Sequence, residues 1–434
     1  MTAAEPGKLR RELVVAVVAS TIGTTIEWHD FFLYGFAATL VFPRLFFSEF
    51  DPFLAQILSY ATFCAGFIAR PVGGVVFGYI GDRVGRKSTL VATLLLMGLS
   101  TVLIGLVPTY AQVGPTAPLL LTALRFVQGL GVGGEWGGAV LLALEYGHRG
   151  RRGFLASWPQ AGVPLGLLAS TGVLALFQTI LSEEDFLAWG WRVPFYLSGL
   201  LIVVGLVIRA RLAETPLFAR VQQENRVAHA PLRETLRRHW RDVLLAAGCR
   251  LTENSCFYLF TVYVLDYGRQ VLEVGQGVFL LAVNLAAAVE VFAIPVYGLL
   301  SDRTSRKGAY AAGCLFLLAF AWPYWALLQT REPIWIIVAT LAAMTGGHAV
   351  LYSVQASLIP ELFGTRLRYT GASLGYQLVT PVGGLAPMIG AALVHAFPGR
   401  TWPLALYVAL ISAVSLTCVL LLAETSRKDI STAD

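Results

Sequence analysis

An all-α polytopic membrane protein, with about twelve transmembrane helices in two six-helix halves, is the fold class that three features of this sequence predict. The first is composition. Of 434 residues, 56% are hydrophobic and 13% are charged, with a mean hydropathy of +0.67. A soluble domain averages about 45–50% apolar and about 25% charged residues. The second is the recurrence of apolar stretches of about 20 residues, the length that crosses a hydrocarbon core as a helix. The third is one loop repeated half a chain apart. Together these exclude a disordered chain, a disulfide scaffold and an ordinary cytosolic enzyme. The net charge of +6 and the pI near 9.1 are compatible with nucleic-acid binding, but in a membrane protein the placement of Lys and Arg encodes topology.

Span 1 is expected at 14–42. It follows Lys8, Arg10 and Arg11 and so imitates a signal peptide. Its apolar run is too long, it holds Glu27 and Asp30, and no small-residue cleavage site follows, so it is read as an uncleaved span. Spans 2 to 6 are expected at 54–80, 88–107, 117–145, 153–180 and 191–210. The polar segment 212–242 is the natural linker between a first half, residues 1–211, and a second half, residues 243–434. Spans 7 to 12 are expected at 243–266, 276–300, 308–328, 333–358, 369–396 and 403–423. The cysteines, Cys64, Cys249, Cys256, Cys314 and Cys418, fall in apolar stretches without metal-ligand spacing and read as buried free thiols.

Charge orients these spans. Loops on the side of the N-terminus hold 24 of the 32 Lys and Arg residues, and the opposite loops hold five: Arg44, Arg192, Arg269, Arg331 and Arg400. Arg70, Arg125 and Arg250 fall inside spans. The asymmetry places both termini in the cytoplasm and accounts for the basic pI without nucleic acid.

The repeat lies after spans 2 and 8. Gly78-Tyr79-Ile80-Gly81-Asp82-Arg83-Val84-Gly85-Arg86-Lys87 is matched 220 residues on by Gly298-Leu299-Leu300-Ser301-Asp302-Arg303-Thr304-Ser305-Arg306-Lys307, with five identities. A parallel duplication of six spans is an architecture of secondary transporters. The first copy resembles the signature loop of the major facilitator superfamily; the second departs from it at Ser305, where the pattern has Gly. Further segments resemble the metabolite:proton symporter branch, which includes shikimate and carboxylate carriers. They are 26–35 (Ile-Glu-Trp-His-Asp-Phe-Phe-Leu-Tyr-Gly), 70–74 (Arg-Pro-Val-Gly-Gly), 125–129 (Arg-Phe-Val-Gln-Gly), 133–138 (Gly-Gly-Glu-Trp-Gly-Gly) and 189–195 (Trp-Gly-Trp-Arg-Val-Pro-Phe). The branch usually has Tyr at the place of His29. The resemblance covers essentially the whole chain. It implies that the two loops latch a cytoplasmic gate through Gly78, Asp82, Arg83, Gly85 and Arg86 in the first copy and Asp302, Arg303 and Arg306 in the second, each Asp lying near the positive N-terminus of a neighbouring helix. The simpler role for such loops is topology signalling alone. Glu145 with Arg151 and Arg152, and Glu361 with Arg366 and Arg368, echo each other after spans 4 and 10 and suit the same closure. The segment 214–218 also resembles the branch, although Pro216 near a helix start is enough to explain it.

Gly129, Gly131 and Gly134 spell a dinucleotide-type pattern, but inside a span it does not follow a strand. Gly129/Gly133, Gly133/Gly137 and Gly134/Gly138 are instead small-residue pairs that let helices approach closely. No phosphate loop is present, which argues against ATP-driven transport.

Ionisable residues inside spans are costly and mark function. Glu27 and Asp30 are expected on one face of span 1, with Thr24 and Tyr34 above and below. Two close carboxylates suit reversible protonation; the competing reading is that either simply pairs with an arginine. Glu135 is assigned with them to proton coupling, and His29 to packing on another face. Arg125, three residues before Gln128, either binds a substrate carboxylate or pairs with Glu135, Glu27 or Asp30. Arg250 pairs locally with Glu253 or reaches substrate; His348, Tyr352 and Gln355 share a face like a cavity lining, and Tyr376 joins them from span 11. Arg70 and Glu290 show no partner in sequence.

The reading that follows is a proton-coupled symporter taking up a small organic acid or zwitterion by alternating access, with a proton-antiport exporter as the alternative. No catalytic or metal cluster is present, so no enzyme activity, metal or cofactor beyond the coupling proton is expected. The chain is expected in the cytoplasmic (inner) membrane, acting as a monomer with a small-molecule substrate and the lipid bilayer as its partners. An osmosensing carrier with a coiled-coil tail is disfavoured because only 424–434 follow span 12.

Overall fold

A computed structural model describes residues 6–145, 150–210 and 230–428, and no strand occurs among them. The segment 214–218 and the side chains of 1–12 and Arg86 lie outside the described set. Twelve long helices form: α1 Pro6–Leu40, α2 Pro52–Arg83, α3 Arg86–Leu106, α4 Thr116–Glu145, α5 Arg152–Ile180 and α6 Val193–Ala210. After the short helix Pro231–Arg238 the second set begins. α7 runs through Trp240–Tyr258, a π-turn at Leu259–Tyr263 and Val264–Gln270. α8 is Gln276–Arg303, α9 Arg306–Gln329, α10 Pro333–Glu361, α11 Arg368–Ala396 and α12 Trp402–Leu421. α10 also contains a π-turn, at Ala342–His348.

Ten of these helices are long and apolar enough to cross a membrane. The two that fall short are α1 and α7, the first helix of each set. The physical reason lies in their sequences. α1 carries Glu27, His29 and Asp30, and α7 carries Arg250, Glu253, Asn254 and Asp266, which depress hydropathy in helices with long buried runs. Every residue at 26–39 of α1 and at 252–268 of α7 is buried. Helices α3, α6 and α12 expose aliphatic rows instead, such as Leu95, Leu99 and Leu103, or Leu406, Leu410 and Val414. A row of that kind facing outward is stable only against lipid.

Small residues set the closest helix approaches. α2 and α4 meet where a Cβ on Gly73, Gly129 or Gly133 would collide with the backbone carbonyl of Leu130, Gly66 or Arg70. α1 and α5 meet at Gly162 and Gly166, whose Cβ would fall 2.7 Å from Thr21 O and from His29 N. α5 and α8 join the two helix sets in the same way, Gly153 lying against Gly298 O and Gly298 against Gly153 O. Without a hydrophobic drive between helices in lipid, such backbone proximity supplies the packing energy. A single methyl tests this. Gly133→Ala should lower stability by about 1–3 kcal/mol through overpacking, although Ala is intrinsically the better helix former by about 1 kcal/mol. Gly172 on α5 has nothing within 4 Å of a Cβ, so Gly172→Ala should hold or raise stability. Thermal unfolding of the detergent-solubilised variants reads both signs.

Candidate functional site

A charged side chain in hydrocarbon must find a partner, and the first six helices answer this with one shared arginine. Arg209, near the end of α6, donates from Nη2 to Glu27 Oε1 of α1 at 2.7 Å and also to Glu135 Oε1 of α4. Its Nη1 donates to the Leu90 carbonyl of α3, and Thr93 donates to Glu135 Oε2 at 3.0 Å. All three charged groups are buried. Gly23 makes the geometry possible: a Cβ there would lie 3.2 Å from Arg209 Nε. A cavity of about 10 Å³ adjoins the pair, lined by Glu27, Trp28, Arg70, Glu135, Trp136 and Gln160. That is close to the space of one water.

This arrangement corrects the expected pairing. The carboxylate sharing a partner with Glu27 is Glu135, not Asp30; Asp30 Oδ1 instead stands 3.1 Å from His29 Nδ1, so His29 is a polar partner rather than packing. Helical spacing places Glu27 and Asp30 on neighbouring positions, but it cannot say what lies opposite. Arg209 ends the apolar run of the span expected at 191–210, where nothing in the sequence singles it out; only the closure of α1, α4 and α6 brings it against two carboxylates.

Arg125 of α4 makes no ion pair among the described residues. Nη1 donates to Gln128 Oε1, Gln128 donates to Thr101 at 2.7 Å, and Nε and Nη2 have no partner. The guanidinium lies over Phe31 and Tyr34, 3.9 and 4.2 Å from their ring centres. Arg70 of α2 is similar. It donates from Nε to Gln377 Oε1 of α11 at 3.1 Å, faces Trp28 and Phe31 at 5.4 and 5.5 Å, and has both Nη atoms unpartnered. Phe31 therefore touches two buried guanidinium groups. Cation–π contact offsets part of the desolvation cost, but four N–H-bearing positions remain unanswered.

In the second set, Arg250 of α7 donates from Nε to Glu253 Oε2 at 3.0 Å and from Nη1 to the Tyr376 carbonyl of α11. Its guanidinium lies 3.3 Å from the Tyr376 ring centre, and that ring stacks on Trp136 of α4 at 3.6 Å. His348 of α10 stands 2.7 Å from Glu290 Oε1 of α8 and 3.5 Å from Glu253 Oε1. Tyr352 stacks on His348, and the Tyr352 hydroxyl, the Tyr376 hydroxyl and both polar atoms of Gln355 are buried without partners. Glu290 and Arg70, unpartnered in sequence, thus both acquire partners in space.

The repeated loops end in matching contacts. Asp82, at the end of α2, accepts from Thr370 N at 3.0 Å and Thr370 Oγ1 at 2.7 Å in the first turn of α11. Asp302, at the end of α8, accepts from Gly153 N at 2.8 Å and Phe154 N at 2.9 Å in the first turn of α5. Each aspartate so meets the orphan donors and positive end of a helix in the other set. Gly78 lies against Thr370 Cα. Gly85 has φ 133°, a backbone that favours glycine. Ser305 has φ −146° and accepts from Gly308 N, so the second loop turns with a side-chain cap where the first uses glycine. Arg83 is exposed and donates to Tyr79 Oη; Arg303 is exposed. Arg306 bonds Asp302 at 2.8 Å and Glu361 at 3.1 Å. The expected charge echo is rearranged: Glu361 pairs with Arg306, Glu145 with Arg368 at 3.4 Å, and Arg366 with Glu234 at 2.9 Å.

The segment after α12 straps this face. Glu424 accepts from Ser305 Oγ, Arg306 N and Lys307 N, and Arg152 of α5 donates to the Lys428 carbonyl. Partial burial alone raises the Glu424 carboxyl, but hydrogen bonds from Ser305 and from the Ser426 and Lys307 backbone hold it down at about 2. Its contribution is therefore present above the ordinary value of 4.5 and is lost only as pH falls towards 2. The opposite face instead holds clefts between the helix sets, including one of about 160 Å³ lined by Phe53 and Gln56 of α2, Asp266 and Tyr267 of α7, and His395 of α11.

Comparison with known proteins places this geometry. The Major Facilitator Superfamily profile matches residues 21–386. The inner membrane metabolite transport protein YhjE of Escherichia coli (strain K12) is 40% identical over 420 residues, covering 95% of both chains. The shikimate transporter of Escherichia coli (strain K12) is 37% identical over 415 residues, again 95% of each. The proline/betaine transporter of Salmonella typhimurium is 34% identical across 100% of this chain and 87% of its own. Among solved structures, the proton:xylose symporter XylE bound to 6-bromo-6-deoxy-D-glucose superposes with TM-score 0.77 over 98% of each chain at 15% identity, a likeness of fold.

Arg209 gives the test of the buried triad. Arg209→Gln strands two carboxylates in an apolar interior and should cost about 3–5 kcal/mol of stability. Adding Glu27→Gln and Glu135→Gln should recover much of the loss, a pattern that thermal unfolding of the single and triple variants displays directly.

Proposed function

The chain belongs to the Major Facilitator Superfamily and is a membrane transporter of small molecules rather than an enzyme, and within that family we propose that it takes up a small organic anion or zwitterion together with protons. The observation that carries this reading is the state of Arg125. A fully buried guanidinium with two unpartnered nitrogens and, among the described residues, no ion-paired carboxylate is suited to hold an anion. Gln128 fixes its orientation, Phe31 and Tyr34 shape its surroundings, and Arg70 adds a second cation beside Phe31. Arg250, His348, Tyr352, Gln355 and Tyr376 complete the substrate lining from the second half, with three unpartnered hydroxyl or amide groups among them. The relatives named for shikimate and for proline and betaine transport a carboxylic acid and zwitterions by those names.

Protons are carried by the carboxylates of the first half, Glu135 and Glu27 on their shared arginine and Asp30 beside His29. Two carboxylates on one guanidinium leave a net negative charge that one proton removes, and no other cofactor is required. The halves, residues 1–211 and 243–434 joined by 212–242, rock about the central site. Asp82 and Asp302 hold the terminal face closed while the clefts on the opposite face admit solute. The excess of Lys and Arg on the terminal side supports a cytoplasmic location for both termini in the cytoplasmic membrane. The proposed solute site lies between the two halves of a single chain, which supports a monomer.

Purified protein in proteoliposomes tests the reading. Under an inward proton gradient, addition of a carboxylate or betaine panel should identify a solute that accumulates and acidifies the lumen; alkalinisation on uptake would mean antiport. Arg125→Ala should raise half-saturation for an anionic solute about 10- to 100-fold, since charge-assisted hydrogen bonds contribute about 1.5–3 kcal/mol. Unchanged kinetics would remove Arg125 from the site. Glu135→Gln should abolish accumulation against a gradient while solute counterflow persists, measured with the same vesicles.

A further inference from the structure

The second half contains an ionisable set of which the substrate reading takes up only His348; Glu290 and Glu253 have no place in it. Glu290 on α8, His348 on α10 and Glu253 on α7 stand in line, with the imidazole between the carboxylates: Nδ1 lies 2.7 Å from Glu290 and Nε2 lies 3.5 Å from Glu253. All three are buried, and Glu290 Oε2 and His348 Nε2 lack a hydrogen-bond partner. A lone buried histidine is ordinarily hydrogen-bonded structure. This one has an acid on each ring nitrogen, and it closes the π-turn of α10, a backbone distortion that recurs at functional sites.

Charge counting shows what the set holds. Arg250 balances one of the two carboxylates. Without a proton on His348 the group carries one net negative charge in an apolar interior; with it, the group is neutral. Among the described residues, the other titratable side chains around it supply no further cation: Cys256 and Tyr258 on α7, Tyr352 on α10, Tyr376 on α11, and Tyr310 and Cys314 on α9. Tyr310 is already committed, donating to the Cys249 carbonyl at 2.9 Å.

We propose that Glu290, His348 and Glu253 form a second proton-binding site, separate from the carboxylate pair on Arg209, and that its occupancy sets how tightly Glu253 holds Arg250. One proton enters from water onto the imidazole and later leaves to water; no bond between heavy atoms forms or breaks. When His348 is protonated, its Nε2–H competes for Glu253 and loosens that carboxylate from Arg250 Nε. Arg250 lies against Tyr376, which stacks on Trp136 across the seam between halves. Protonation in the second half therefore releases a cation towards the solute path. The consequence for transport rests on the function proposed above; the site itself does not.

The test is a pH titration of ¹⁵N-histidine-labelled protein in lipid nanodiscs, with His348 assigned by the signal lost in His348→Gln. His348 should show a titration midpoint, and Glu290→Gln should lower it by at least one pH unit, a tenfold loss of proton affinity. Should Glu290→Gln not fold, Glu253→Gln strips the other flank and should shift the midpoint the same way. Glu135→Gln, in the other set of helices, should leave it unmoved. A midpoint indifferent to both flanking variants overturns the proposal even if proton-coupled uptake holds. A shifted midpoint in a protein that fails to couple protons to uptake leaves this site standing and defeats the function proposed above.

Discussion

The cost of bare charge in hydrocarbon governs this structure. Glu27 and Glu135 converge on Arg209, and Glu253 and Glu290 flank His348 beside Arg250. Each cluster draws its members from three helices, so the helices are tied together by the need to neutralise what they bury. Such pairs add little net stability over a well-packed apolar core, yet breaking one is expensive. Their persistence in helices with long buried runs is a reason to look there for function. Arg70 and Arg125 are the informative exceptions. Their charge is met by aromatic faces and amide oxygens, a partial answer that leaves guanidinium nitrogens without hydrogen-bond partners.

The two halves solve one mechanical problem with different chemistry. In the first, the turn between α2 and α3 relies on Gly85 in a conformation other residues avoid. In the second, Ser305 takes an extended conformation and caps α9 with its hydroxyl. The motif residue missing from the second copy is thus replaced by a side chain that does the turning by hydrogen bond. The second copy also recruits Glu424 and Glu361 around Arg306, so the strap after α12 and the repeated loop form one assembly.

Most of the architecture was legible because hydropathy and span length are local properties. The expected spans agree with the helices to within a few residues at most ends. The helices that miss the apolar threshold, α1 and α7, do so for the same reason that made their charged residues conspicuous. Partnership was less legible. Glu27 and Asp30 sit three residues apart, but the group opposite Glu27 comes from α4 and α6, and Asp30 turns to its chain neighbour. Arg209 closes an apolar run and nothing local marks it as a partner of Glu27, while Arg70 and Glu290 show no partner in sequence because theirs are 307 and 58 residues away. The likeness of the two loops was plain in sequence; that each aspartate reaches into the opposite set of helices is a fact of tertiary structure.

That crossing has a kinetic meaning. Asp82 and Asp302 hold their helices through hydrogen bonds to first-turn donors, and such bonds weaken steeply once the distance or angle departs from the ideal. The attraction of a helix end for an anion also fades within one turn. In the gate proposed above, contacts of this range make closure a snap and not a spring. It resists small displacements, then lets go over a short travel, and positions between shut and open are poorly populated. For a carrier, those are the positions through which ions would leak without solute. In that proposed cycle the short reach of the two carboxylates bears on the tightness of the barrier as well as on its dwell time.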